Sequence, residues 1–435
     1  MSFDTRQLKH IAALSLPAVI TNITTPILAL TDVAIVGHIG SAVFIAAIAV
    51  GGTMFNTLFW LFGFLRMGSS GLTAQAYGAG ERKEAHAVLA RSLLLALLIG
   101  TVFIIVRRPL CALMFDLLDV SGETSEVAAR YFLRVIWCAP AVLGMYSLTG
   151  WFIGMQNSRI PMWVSLFVDV ANIGASLTLV FVLKMSIEGV ATGTVAAQWA
   201  GFILSFILAV RNYGWGKTGF RSIAAGLPRF FRINTDIFLR TVCLVTVTLW
   251  FTRAGAEQGP SMLAVNALLM QLFTLYSFFM DGLGFASEAL CGRYLGAGDQ
   301  PMLCLSVRSL LGVGAVLAVV FTVLYVFCGG WLLELLSSDV KVVELARHYS
   351  VWAMLVPVAG FGAFMWDGVF IGLTRTRMML VSMAIAMCVF FVIYFSLRTA
   401  LGNHGLWIAF LSYLFARGAV LTVAGRRYFS PYSSR

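Results

Sequence analysis

The chain has 435 residues, of which 60% are hydrophobic and 11% charged, whereas a water-soluble domain carries about 25% charged residues. A soluble globular fold is excluded, and the apolar share can fill roughly a dozen spans of ~20 residues. Thirty Lys and Arg against nineteen Asp and Glu give a formal charge of +11, which in such a chain fits basic loops on one bilayer face and argues against nucleic acid as a partner.

In chain order, apolar runs separated by short polar turns predict twelve helices, at 11–36, 41–66, 87–106, 127–154, 160–183, 188–210, 236–254, 261–292, 303–328, 342–372, 377–398 and 404–425. The first follows Arg6 and Lys9 and begins like a signal peptide, but it is too long and has no small-x-small cleavage site, so it is read as retained. The runs at 261–292 and 342–372 exceed the bilayer thickness and imply tilt or extension beyond the lipid. The longest polar connection, 213–232, is rich in Gly, Arg and Pro and falls mid-chain. The expected organisation is therefore a first lobe over 1–212, a cytoplasmic linker over 213–233 and a second lobe over 234–435. With both termini inside, sixteen loop-proximal basic residues lie on the inner face and six on the outer, the asymmetry expected of cytoplasmic termini.

An internal repeat supports two lobes. Tyr77-Gly78-Ala79-Gly80 matches Leu295-Gly296-Ala297-Gly298 at an offset of 218, and Arg91-Ser92-Leu93-Leu94 matches Arg308-Ser309-Leu310-Leu311 at 217. Phe152-Ile153-Gly154 matches Phe370-Ile371-Gly372, and Ser158-Arg159 matches Thr376-Arg377, again at 218. Each six-helix copy has an even number of spans, so both start on the same side and are related by an axis along the membrane normal, a plan favoured by transporters.

An ionisable side chain at mid-bilayer costs at least ~2.5–3.5 kcal/mol and needs a compensating role. Asp32 lies deep in the first span, with Thr21 and Thr25 along the same face, and Pro26 favours a kink in that helix. Asp169, Asn172 and Ser176 form a stripe on the fifth span, and Thr194 with Gln198 repeats it on the sixth. Either stripe serves an ion or glues helices together through hydrogen bonds. In the second half, Asp281 and Glu288 on the eighth span are candidates to bind a cation or guide protons, or to pair with Arg66 or Arg293, and Asp367 on the tenth is a further candidate site residue of the second lobe. The spans offer few interior arginines. Methionines such as Met54, Met145, Met270, Met280 and Met365 either line a deformable cavity or simply pack. The seven cysteines lack any C-x-x-C pair and read as small core residues, and the five histidines, at 10, 38, 86, 348 and 404, read as single, so no metal site is expected. Hydrolase, nucleotide-loop and dinucleotide motifs are missing, so neither an enzyme nor a cofactor is expected, and any driving energy comes from an ion gradient.

These residues resemble the multidrug and toxic compound extrusion (MATE) transporters, in their DinF branch, over nearly the whole chain. The resemblance rests on Asp32-x5-His38, Leu65-Arg66-Met67, Gly71-Leu72-Thr73-Ala74-Gln75-Ala76-Tyr77-Gly78-Ala79 and Asn234-x-Asp236-x-x-Leu239-Arg240. It continues in Ala264-Val265-Asn266-Ala267, Asp281-Gly282, Glu288-Ala289, Asp367-Gly368-x-Phe370-Ile371-Gly372 and Leu401-Gly402-Asn403-His404. It implies an all-α membrane protein with the MATE fold, two lobes forming a V, and exchange of protons or sodium for lipophilic, often cationic drugs across a bacterial inner membrane. It also implies Asp32 as the main coupling group, accompanied by Asn172 and Thr194. Family members often carry a second acid where this chain has Ser176, a departure that favours a proton over sodium, since sodium wants several oxygen ligands. The expectation is that protonation of Asp32 bends the first helix at Pro26. Sodium coupling through Asp32 with Asp169, and flipping of lipid-linked saccharides by a related fold, are the alternatives.

Overall fold

A computed structural model describes residues 5–37, 42–118, 122–214, 219–337 and 339–429, and all regular structure among them is helical. The helices are α1 (Thr5–Gly37), α2 (Ala42–Trp60), α3 (Phe64–Gly78), α4 (Arg82–Ile105), α5 (Arg107–Leu118), α6 (Glu123–Val135), α7 (Ala139–Gly154), α8 (Arg159–Leu177) and α9 (Ile187–Tyr213). They continue with α10 (Phe220–Ala225), α11 (Leu227–Ala256), α12 (Pro260–Gly296), α13 (Gln300–Leu336), α14 (Val340–Gly372), α15 (Thr376–Leu401) and α16 (Asn403–Phe429). Among the described residues, eleven spans are long and apolar enough to cross a membrane, α2 with α3 forming one and α6 with α7 another. At 1.5 Å per residue, the 33 residues of α1 reach about 50 Å, enough for the twelfth crossing. Large apolar side chains lie outermost, with Phe327 81%, Ile105 72% and Val182 71% exposed. Water would penalise that surface; lipid solvates it.

The structure departs from the predicted runs in three places. The second does not end at residue 66: after a turn at 61–63 it continues as α3 to Gly78, because Ser69, Ser70 and Thr73, polar in sequence, are fully buried and helical. An unpredicted amphipathic helix, α5, buries Cys111 and Met114 at i, i+3 but has only 12 residues and cannot cross. The mid-chain connection carries α10 and the first turns of α11. It is fastened to α4 by Arg91, which is 3% exposed and donates from Nε to the Ile223 carbonyl at 2.8 Å and from Nη1 to Glu84 Oε1 at 2.7 Å.

The helices pack as two compact units, Leu16–Asn234 and Thr235–Arg435 with Met1–Ser15. Within the second, Gln7 of α1 donates to Ser306 at 3.1 Å and Tyr294 at 3.3 Å. Within the first, a serine relay ties three helices: Ser69 donates to Ser92, and Ser92 to Ser147, each at 2.7 Å. Such bonds replace the hydrophobic drive that lipid removes.

The sequence repeat is a repeat of geometry. Gly150 of α7 lies so close to α3 that a Cβ would sit 2.1 Å from the Arg66 carbonyl oxygen, and its counterpart Gly368 of α14 lies on α12 with a Cβ 2.6 Å from the Gly284 oxygen. The turns that follow the paired helices match as well: Gly80 and Gly298 have φ of 73° and 70°, and Gln156 and Thr374 have φ of 63° and 52°. Motifs conserved between the halves thus mark helix crossings and left-handed turns, where a side chain is excluded or strained.

Candidate coupling site and a buried charge centre

In the first unit the site is built from α1, α6, α8 and α9. Asp32 of α1 is 8% exposed, and its Oδ1 is buried without a hydrogen-bond partner. Tyr131 of α6 lies near enough to feel the Asp32 charge, and its hydroxyl bonds Thr194. Asn172 Nδ2 donates to Thr194 Oγ1 at 3.3 Å, and Ser176 Oγ donates to Asn172 Oδ1 at 3.0 Å. The spacing of Asn172 and Ser176, one helical turn apart on α8, stacks them on the face that meets α9. There Gly193 comes so close that a Cβ would sit 2.6 Å from Ser176 Oγ. Gly51 of α2 likewise leaves room for the Tyr131 ring, which a Cβ there would meet at 2.5 Å. The result is a buried chain of hydroxyls and an amide beside one carboxyl that forms no ion pair among the described residues. Charged, that carboxyl needs donors; protonated, it supplies one.

Asp169 stands apart from this chain. It is half-buried one turn before Asn172, the Thr24 hydroxyl bonds its carboxylate, and Oδ2 has no partner. Pro26 is exposed, and α1 runs unbroken through both Pro17 and Pro26. The side chain of Thr25 and the whole of His38 lie outside the described residues.

The second unit holds a different arrangement. Asp367 of α14 accepts hydrogen bonds at Oδ2 from both Arg240 of α11 and Arg417 of α16, all three side chains being 8% exposed or less. Arg417 also stacks over Phe364, with Cζ 5.8 Å from the ring centroid, and bonds the Tyr413 hydroxyl, which donates to Met383 Sδ at 3.0 Å. Glu288 is buried, at 2% exposure, whereas Asp281, two turns earlier on the same helix, is exposed. A reciprocal amide pair, Asn266 with Asn403 at 2.8 and 3.0 Å, ties α12 to α16.

The MatE family profile matches residues 17–178 and 236–395, one block in each half. The chain belongs to the MatE family, a family of membrane transporters. DNA damage-inducible protein F of Escherichia coli (strain K12) is 36% identical to it, over 98% of this chain and 94% of its own length. A probable multidrug resistance protein NorM of Idiomarina loihiensis is 20% identical, over 97% of this chain and 94% of its own length. The crystal structure of MATE in the bent conformation, 18% identical, shares the fold with a TM-score of 0.88 over 98% of this chain and 96% of that one.

In this MatE protein the fold brings Asp32, Asn172, Ser176 and Thr194 into one unit. Sequence reasoning missed Tyr131, although its spacing carries a signal: Val127, Tyr131 and Val135 fall at i, i+4 and i+8 on a buried face, where a phenol needs a partner. The few interior arginines include Arg240 and Arg417, each near the middle of its helix. One sequence expectation is corrected. His348 and His404 are not single: α14 and α16 bring their ring centroids to 5.7 Å, with Trp352 donating to His404 Nδ1 at 3.0 Å. No spacing rule finds pairs formed across separate helices. Among the described residues no group of three or more His, Cys, Asp or Glu is placed to hold a metal ion. Met54, Met280 and Met365 are fully buried, in favour of the packing role.

Proposed function

We propose that this MatE protein exports lipophilic cations in exchange for protons, with Asp32 as the group that takes up and releases the proton. The observation that carries the reading is a buried carboxyl with an unpartnered oxygen, next to a polar chain through Tyr131, Thr194, Asn172 and Ser176. Gain of a proton turns that oxygen from acceptor to donor, so the chain must re-pair around it. Pro26 has no N–H for the carbonyl four residues earlier, which makes that turn of α1 the cheapest place to bend in response. Ser176 adds a hydroxyl where sodium would want another carboxylate, in favour of a proton. The relative's printed name, multidrug resistance protein, supports a broad cargo range. The chain resides in a bacterial inner membrane with both termini in the cytoplasm, as the distribution of basic residues supports.

The test is ethidium export in proteoliposomes under separately imposed proton and sodium gradients. Wild type should respond to the proton gradient, and Asp32→Asn should insert and fold but lose that response. Sodium-stimulated export at constant pH, requiring both Asp32 and Asp169, would replace proton coupling with the sodium mechanism.

A further inference from the structure

The charge count at Arg240, Asp367 and Arg417 does not balance. Guanidinium groups stay protonated at any physiological pH, so two positive charges meet one carboxylate. Among the described residues Asp367 is the one acid that Arg240 and Arg417 bond. The pairing is also incomplete atom by atom. Asp367 Oδ2 takes one bond from each arginine, while Asp367 Oδ1 and the Nε atoms of Arg240 and Arg417 are buried with no partner. A buried donor left unpaired is costly, and more so when it carries charge. Burying two arginines at mid-helix to neutralise one aspartate is a poor structural solution, since one would suffice; the next buried carboxylate, Asp236, one turn before Arg240, is bonded by Thr376 and Arg377 instead.

We infer that this centre in the second unit is a binding site for an amphiphilic organic anion, whose carboxylate, sulfonate or phosphate group completes the charge balance on the two arginines. Guanidinium suits such a group, because its five donors in a rigid fork match an oxyanion with two N–H bonds, and here the Nε edges are the ones available. The side chains around the centre are apolar or aromatic. Phe364 lies under Arg417, Tyr413 and Met383 adjoin it, and Phe410 stacks near Tyr413 with ring centroids 6.1 Å apart. Asp367 then acts as a positioning residue, holding the two forks together and moderating their charge, and not as a cation ligand. This rests on the transporter reading above and extends its cargo class: the first unit presents a buried carboxyl without an ion pair, the second a net positive charge, so amphiphiles bearing an anionic group join lipophilic cations as cargo.

The experiment is equilibrium dialysis of the purified full-length protein in detergent, with two probes that share an aromatic body. One is naphthalene-1-sulfonate; the other is N,N,N-trimethyl-1-naphthylammonium. Arg417→Met leaves Arg240 and Asp367 as a balanced pair, and the ratio of sulfonate to ammonium affinity should fall by about tenfold or more, roughly 1.4 kcal/mol or above. Arg240→Met should do the same, which keeps the test intact if one variant fails to fold. Asp367→Asn, which raises the net charge, should raise the ratio. If both arginine variants keep the wild-type ratio, or lose both probes in parallel, the centre is structural and the proposal falls. Displacement of the sulfonate by millimolar chloride at equal efficiency would also overturn it, in favour of a halide site. No ion gradient is applied, so a failure of proton coupling leaves this result untouched.

Discussion

Replacing Gly150 by alanine tests whether the repeated glycines hold the helix crossing that organises each unit. The added Cβ would lie 2.1 Å from the Arg66 carbonyl oxygen, and ordinary contact begins near 3.4 Å. The obstacle is backbone, so α3 and α7 must separate by about 1.3 Å along their crossing. Overpacking of this kind costs ~1–3 kcal/mol, and the backbone clash places it at the upper end. Alanine returns ~1 kcal/mol of helix propensity, leaving a net loss of about 2 kcal/mol. Gly174, on α8, is the control, because a Cβ there meets nothing within 4 Å. Gly174→Ala should therefore gain up to ~1 kcal/mol. At roughly 2–4 °C per kcal/mol, the two variants should differ by about 6–12 °C in thermal unfolding followed by tryptophan fluorescence in detergent. Gly368→Ala should fall between them: its nearest approach, 2.6 Å from the Gly284 oxygen, is also to backbone but is milder. Equal melting of Gly150→Ala and Gly174→Ala would show that the crossing is loose and that the shared motif has some other cause.

Other outcomes follow from single contacts. Tyr131→Phe deletes the hydroxyl that bonds Thr194 beside Asp32, so proton-driven ethidium export should drop by about tenfold while stability falls only by the ~1 kcal/mol of one buried hydrogen bond; an unchanged rate would remove Tyr131 from the coupling chain. Arg91→Met cuts the link from α4 to the Ile223 carbonyl, so limited trypsin digestion should cleave between α9 and α11 at least several times faster than in wild type. Asn266→Leu leaves the Asn403 amide and the Trp407 indole without their shared buried acceptor, Asn266 Oδ1, and should lower stability by about 2–4 kcal/mol, visible as a lower midpoint in the same fluorescence assay.

Apolar run length placed most of the spans, because lipid demands nearly the same of every helix that crosses it. The offset of 218 led directly to Gly154 with Gly372, and the structure adds Gly150 with Gly368 at the same offset, since a helix crossing that excludes side chains leaves its mark as glycine in both copies. Asn172, Ser176 and Thr194 were legible for a similar reason: helical period sets the stripe, and stripes on neighbouring helices tend to face each other. Tyr131, Arg417 and the His348 with His404 pair were not. Each depends on which helix lies beside which, and a polar group on an apolar span shows its partner only once the helices pack. Asp367 illustrates the difference most clearly. Read alone it is a candidate cation ligand, and between Arg240 and Arg417 it becomes the minority charge of a basic centre.

On the proposed reading, drug and proton move in opposite directions and Asp32 carries the proton. Proteoliposomes carrying a trapped pH dye, given an ethidium gradient and no imposed pH gradient, measure it directly: wild type should show proton movement counter to ethidium, and Asp32→Asn should show none. Proton counterflow in Asp32→Asn at the wild-type rate would contradict the account.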